Sequence, residues 1–288
     1  MEYILEVSNL NKCYDSFNLS DINFKIPKGC ITGFIGANGA GKTTTIKSIL
    51  GLVLKDSGNV TIFGKDMDTC DLEIKNRIGV VLDESSYYEH LTMAQMKSIV
   101  APMYTAWDDN EFNKYMEKFG LKPSQKISTL SKGMKMKFSL ALALSHNAEL
   151  LFMDEPTSGL DPLVRNQFLE ILREYMENGE RSIFFSTHIT SDLDKVADML
   201  ILIDDGKIVF DEEKDALIES HHLVKGDKKD LTVENRELFL LIQESGFGFT
   251  ALTNRLDEVK AIMPGVLIEK ASVEDIMLGY VDEEELVW

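Results

Sequence analysis

Cysteine is scarce: Cys13, Cys30 and Cys70 are the only three in 288 residues, odd in number and without CxxC spacing. That argues against a disulfide framework or a cysteine-ligated zinc site and suits a reduced compartment. No apolar run approaches the ~18 residues of a membrane span; the best candidate is FSLALALS at 138–145. The start, MEYILEV, carries a carboxylate where a secretory signal would carry lysines, so a soluble, non-exported chain is expected. Basic charge is also short, with 30 Lys and Arg against 48 Asp and Glu, a net charge of −18. A nucleic-acid backbone would be repelled. The deficit is uneven: 19 acidic and 8 basic residues lie between Asp211 and Trp288. Internal repeats and low-complexity linkers are missing as well.

What is present can fold. The chain is 44% apolar with 9% aromatics, enough to bury a core, and its length suits roughly two domains of ~100–200 residues. Up to about 210, short apolar runs alternate with helical periods, the pattern of an α/β domain. ITGFI (31–35), IGVVL (78–82), LLFM (150–153), SIFFS (182–186) and MLILI (199–203) read as strands. Their unbroken apolar character predicts burial on both faces, as in a parallel sheet. Asp205-Gly206 is a hairpin signal, so the final run should pair antiparallel with KIVF. ILEV, INFKI and VTIFG predict further β-structure near the N-terminus. Between about 86 and 147 strand signals give way to helical period. Phe112, Tyr115, Met116 and Phe119 fall on one helical face, and Gly120 follows as a stop. After 211 the elements are short and acidic, with Ser272-Val-Glu-Asp275 resembling a capping box in which Asp replaces Glu or Gln.

The chemistry concentrates in one loop. Gly36-Ala37-Asn38-Gly39-Ala40-Gly41-Lys42-Thr43 fits G-x-x-x-x-G-K-[ST], follows a strand and opens a helical run through Thr44. Glycines permit the close backbone approach that wrapping a phosphate needs, and the helix N-terminus presents N–H donors to the anion. Lys42 has the reach for β- and γ-phosphates, and the Thr43 hydroxyl can ligate Mg²⁺. Asp154 and Glu155 end the LLFM strand, which Pro156 terminates. One acid there can hold a metal and the other can polarise a water. By itself such a pair is more often a solvated turn; beside a phosphate loop it reads as a site. His188, closing Ser186-Thr187-His188, could donate to a γ-phosphate or an attacking water, although a lone strand-end histidine is usually a surface residue.

In order and spacing, these motifs together with Leu130-Ser131-Lys132-Gly133-Met134 and Ser158-Gly159-Leu160-Asp161 resemble the nucleotide-binding subunits of ATP-binding cassette (ABC) transporters. The resemblance covers about residues 1–210. It implies an α/β P-loop NTPase core with an antiparallel β-subdomain over residues 1–214, a helical insertion near 86–147, and a small α/β extension over 215–288. It implies ATP and Mg²⁺ as ligands, separate transmembrane permease subunits, and a second ATPase subunit, identical or not. It places the chain at the cytoplasmic membrane face, acting without nucleic acid. Tyr14, 22 positions before Gly36, matches the aromatic that stacks on adenine. Ser131 and Gly133, with Lys132 between them, match the signature groups that reach the γ-phosphate held by the other subunit, and Asp161 matches the dimer-facing aspartate. Asp154 matches the metal acid, Glu155 the water-activating group and His188 the switch histidine. The alternative for Tyr14 is a packed surface aromatic, and for Ser131 an ordinary helix cap.

Two positions depart from the family pattern. Asp83, followed by Glu84, stands where glutamine is usual; its carboxylate could ligate Mg²⁺ or position water. The signature reads LSKGM instead of LSGGQ, so Lys132 brings a cation that could offset Asp83. LSKGM, the single cassette and the C-terminal SVEDIMLGY segment look most like bacterial exporter ATPases for drugs, antimicrobial peptides or other amphiphiles. Residues 83–90 would connect to the permease, with Tyr87 and Tyr88 either lining the docking cleft or serving as loop aromatics. The competing classes are a soluble ABC ATPase of translation or DNA repair and a phosphate-loop kinase. The first usually carries two cassettes or long coiled-coil insertions, and the second has no use for the signature.

Overall fold

A computed structural model describes residues 2–83, 87–177 and 179–281. The chain opens as the arms β1 (Tyr3–Cys13) and β2 (Asn18–Pro27), and β3 (Ile31–Ile35) runs through the glycine loop into α1 (Lys42–Ile49). Strands β4 (Ser57–Ile62) and β5 (Lys65–Asp66) complete an antiparallel sheet of order β2-β1-β4-β5. After α2 (Asp71–Lys75) and β6 (Ile78–Val81) come three longer helices, α3 (Met93–Val100), α4 (Asp109–Lys118) and α5 (Lys132–Leu144). The core resumes with β7 (Leu150–Asp154), α6 (Pro162–Met176), β8 (Ser182–Thr187), α7 (Thr190–Val196), β9 (Met199–Asp204) and β10 (Lys207–Glu213). The last segment holds α8 (Lys214–Ser220), β11 (His222–Gly226), β12 (Leu241–Glu244), β13 (Phe249–Thr253), α9 (Leu256–Ile262), β14 (Leu267–Lys270) and α10 (Val273–Tyr280).

The central sheet has the order β10-β9-β3-β8-β7-β6. Its inner pairings are parallel, and only β10 runs antiparallel, through the Asp205-Gly206 turn. The apolar runs are buried on successive residues because helices cover one face and the antiparallel sheet, with α1, covers the other, Phe24 of β2 stacking on Phe184 of β8. One consequence positions the site: parallel strands carry all their C-terminal ends to one edge, where ligands of open α/β sheets bind. Gly36, Asp83, Asp154 and His188 all follow or end such strands.

The helical insertion lies between β6 and β7. Asp108 caps α4, and Phe112 and Met116 are buried on its inner face; Gly120 follows at φ 66°, beyond the C-cap Phe119. α5 is buried on all sides from Phe138 to Leu144, so this helix crosses the interior instead of lying on it. Gly79 lets it do so, since a Cβ there would meet Leu151 Cδ2 at 2.4 Å and the Ala143 oxygen at 2.9 Å.

His146, just past α5, fastens the insertion to the sheet. Its Nε2 lies 2.9 Å from the Ile78 carbonyl oxygen, and its ring stacks on Tyr104 with centroids 3.8 Å apart. Burial holds its pKa below the ordinary histidine value. The native ring therefore resists a proton that the unfolded chain accepts. The stability it contributes is full above about pH 6.5 and is lost as the pH falls. His146→Gln should flatten the decline of the unfolding midpoint between about pH 6.5 and 5, set by this linkage. Equal slopes in the two proteins would remove His146 from that role.

The C-terminal segment forms an antiparallel sheet of order β12-β13-β11-β14 with its own small core of Val224, Leu238, Phe249, Ala251, Val259 and Met263. Its last helix leaves that sheet: Val273 and Ile276 of α10 join the main core with Leu193 and Val196 of α7. The expected Ser-Asp capping box opens α10, with Asp275 Oδ2 accepting from the Ser272 N–H at 2.8 Å and Ser272 Oγ from the Asp275 N–H at 3.2 Å.

Candidate functional site

The glycine loop is shaped by contact as well as flexibility. A Cβ on Gly36 would sit 2.4 Å from the Ile203 oxygen, and Gly41 holds φ 111° at the N-cap of α1. Only glycine meets both demands at low cost. Lys42 is buried and folds back on the loop, donating to the Gly36 and Ala37 carbonyl oxygens at 2.8 and 3.0 Å. Its ammonium also lies 3.3 Å from Glu155 Oε1.

Two short chains of contacts meet at this edge. Thr43 Oγ1 donates to Asp154 Oδ2 at 2.8 Å, and Ser186 Oγ donates to Asp154 Oδ1 at 2.6 Å. The same Ser186 hydroxyl accepts from the Glu155 N–H at 3.1 Å. Glu155 has φ 49°, a left-handed conformation rare outside glycine, and it breaks the β7 strand so that neighbouring acids take different tasks. Its Oε2 accepts from His188 Nδ1 at 2.8 Å, while Oε1 faces Lys42. Thus Lys42, Thr43, Asp154, Glu155 and His188, expected from the sequence, are brought together. Among the described residues no group of three or more His, Cys, Asp or Glu side chains converges as a metal cluster. Thr43 and Asp154 instead offer the hard oxygen donors, few in number, that suit Mg²⁺ with its retained waters.

The cavity over the loop is lined by Asn38, Gly39, Gly41, Lys42, Thr43, Thr44, Glu155 and one unexpected residue, Phe17. Tyr14 is not in that lining. It is exposed, with Lys12 Nζ 5.4 Å from its ring, and its N–H donates to the Phe17 carbonyl across the β1–β2 turn. Ala37 and Ala40 close the loop from behind, where the Gly206 N–H donates to the Ala40 oxygen at 3.0 Å.

Ser131 caps α5, accepting from the Met134 N–H at 3.2 Å. With Lys132, Gly133, Gly159 and Asp161 it lines a second cleft. Asp161 Oδ1 is engaged in capping α6, accepting from the Leu163 and Val164 N–H groups. Asp83 is not brought to Thr43 and Asp154; its Oδ1 lies 2.7 Å from Lys132 Nζ. Glu84 falls outside the described residues. Of the two tyrosines after it, Tyr87 is anchored by a 2.9 Å hydrogen bond to Ser139 and an edge contact with Phe138. Burial pushes its pKa up to about 12. Tyr88 is exposed.

Phe17 and Ser186 are the residues that sequence reasoning missed. Phe17 had only its nearness to Tyr14 as a signal. Ser186 reads as one more small residue in a buried strand until β7 and β8 pair in register, Asp154 beside Ser186.

A hollow over a glycine loop, a lysine at its base and a hydroxyl–carboxylate pair at the strand ends define a P-loop nucleoside triphosphatase. The ABC transporter family profile matches residues 19–158. The chain is 34% identical over 250 residues to a bacitracin transport ATP-binding protein of Bacillus licheniformis, spanning 84% of this chain and 80% of that one. It is 34% identical over 215 residues to a lantibiotic transport ATP-binding protein of Streptococcus pyogenes, covering 74% of this chain and 92% of the relative. A solved ATP-binding subunit of an ABC transporter superposes with a TM-score of 0.68 at 28% identity, over 75% of this chain and 92% of that one. The chain belongs to the ABC transporter family, as an ATP-binding subunit. It is an ATP hydrolase coupled to transport. Among the described residues no helix is long and apolar enough to cross a membrane.

Proposed function

We propose that this subunit sits at the cytoplasmic face of the membrane and powers export of an amphiphilic peptide or drug. Two copies would close head to tail on ATP, residues 36–44 of one facing Ser131–Gly133 of the other. The observation that carries the reading is the presence of two separate clefts in one chain, the glycine loop with Lys42 and the helix N-terminus at Ser131. Each can receive an anion. One subunit has no evident use for both; a triphosphate held between subunits uses each once.

In this mechanism Lys42 leaves its loop carbonyls for the β- and γ-phosphates. Thr43 and Asp154 would hold Mg²⁺, which supplies charge neutralisation on the phosphates. Ser186 keeps the Asp154 carboxylate aimed and Glu155 turned outward. Glu155 orients the water and takes its proton, and His188, already on Glu155, holds that carboxylate and the γ-phosphate in line. Tyr14 and Phe17 offer aromatic faces for adenine on the β1–β2 turn. Asp161 faces the partner.

The boundaries proposed from sequence follow the same logic: residues 1–214 hydrolyse ATP, 86–147 carry motion toward the permease, and 215–288 form an added unit. The relatives' names speak of bacitracin and lantibiotic transport, and LSKGM with SVEDIMLGY fits that branch. A role on ribosomes or nucleic acid is disfavoured by the −18 charge. Isolation of the assembled complex from membranes tests the reading. Hydrophobic permease chains should co-purify, and amphiphilic peptides should raise ATP turnover. Recovery with ribosomes, and none with membrane chains, would overturn it.

A further inference from the structure

Two residues that break the family pattern meet each other. Asp83 follows β6 on the core sheet and Lys132 opens α5 in the helical insertion, 49 positions apart in sequence, and their charged atoms lie 2.7 Å apart. Lys132 lies along the Gly159 turn, where a Cβ would come within 3.5 Å of its Cδ and Nζ. It also lines the signature cleft with Ser131 and Gly133. Asp161, the other acid there, is engaged on the α6 N-terminus.

The placement of Lys132 is electrostatically odd. A lysine in the first turn of a helix faces the positive end of its dipole and calls for an anion. In the single subunit that anion is Asp83. The side chains are partly exposed, 46% and 37%, while the paired oxygen, Asp83 Oδ1, is buried and meets the ammonium as a charge contact without hydrogen-bond geometry, so the pair adds little to folding. It is easily exchanged for a more highly charged anion.

We propose that Asp83 is a positioning residue acting through Lys132: its carboxylate keeps the ammonium at the signature cleft and yields it to the partner-held triphosphate as the dimer closes. The inference rests on the head-to-tail reading. The charge beside the γ-phosphate is then supplied by Lys132 and withdrawn with Asp83.

The test uses the full chain carrying Glu155→Gln, with Mg²⁺ fixed, and reads the ATP concentration that gives half-maximal dimer by sedimentation. Asp83→Asn should lower that concentration about threefold to fivefold, the range an exposed ion pair can supply. Lys132→Met should raise it, and adding Asp83→Asn to Lys132→Met should change nothing further. The same fold-shift from Asp83→Asn in both backgrounds, or no shift in either, would overturn the exchange while leaving the ATP-closed dimer standing. Absence of any ATP-driven dimer in the Glu155→Gln chain would overturn both. A Mg²⁺ titration supplies the independent readout. Its midpoint should match with and without Asp83→Asn, and a displaced midpoint would assign the carboxylate to the metal and sink the exchange.

Discussion

Glu155→Gln should bind ATP at least as well as the parent and hydrolyse it about 10²- to 10⁴-fold more slowly, the range attributed to a positioned general base. The substitution keeps size and most of the hydrogen bonding. The amide can still face His188, whose Nδ1 is 2.8 Å from Glu155 Oε2. What it removes is the proton acceptor and one negative charge beside the site of the γ-phosphate. Turnover falls while the ATP-bound closed form accumulates. Rapid-quench hydrolysis and gel filtration with ATP read the two effects separately. Parental turnover in this variant would show that another group activates water and would leave Glu155 only as a packing partner of Lys42 and His188.

Lys42→Ala acts on the opposite side of the same contact. The buried ammonium makes three contacts, to Gly36 O, Ala37 O and Glu155 Oε1. All are within reach of the space over the loop. Losing a desolvated, hydrogen-bonded charge costs about 2–5 kcal/mol, or roughly 30- to 5,000-fold in affinity. Nucleotide binding, followed by a fluorescent ATP analogue, should therefore fall below detection at micromolar concentrations. The unfolding midpoint controls for a secondary effect, since removal also strands Glu155 without its cation. Unchanged affinity would take Lys42 out of the phosphate site and, with it, the reason for the loop.

The legible parts of this molecule are the local ones. The glycine loop, the five buried runs and the Asp205-Gly206 turn each carry their signal within a few neighbouring residues, and each forms the expected element. The Phe112–Met116 stripe and the Ser272–Asp275 cap are equally short-range. What sequence alone withheld depends on pairing across distance. Ser186 gains its meaning only when β8 lies beside β7, and Asp83 meets Lys132 only once the insertion folds against the sheet edge. The pairings of β11 with β13 and β14 likewise join segments far apart in the chain, which no turn signal encodes. The placement of Asp83 was open for a physical reason as well: a carboxylate can serve a magnesium ion or an ammonium, and spacing does not distinguish the two.

The return of α10 to the main body has its own consequence. Val273 and Ile276 press on Leu193 and Val196, the inward face of the helix that starts two residues beyond His188. The final segment is thus a strut bearing on the helix that follows His188. A load on α10 passes through Leu193 and Val196 to that histidine's footing, so the acidic segment has a mechanical line to the strand ends around the glycine loop.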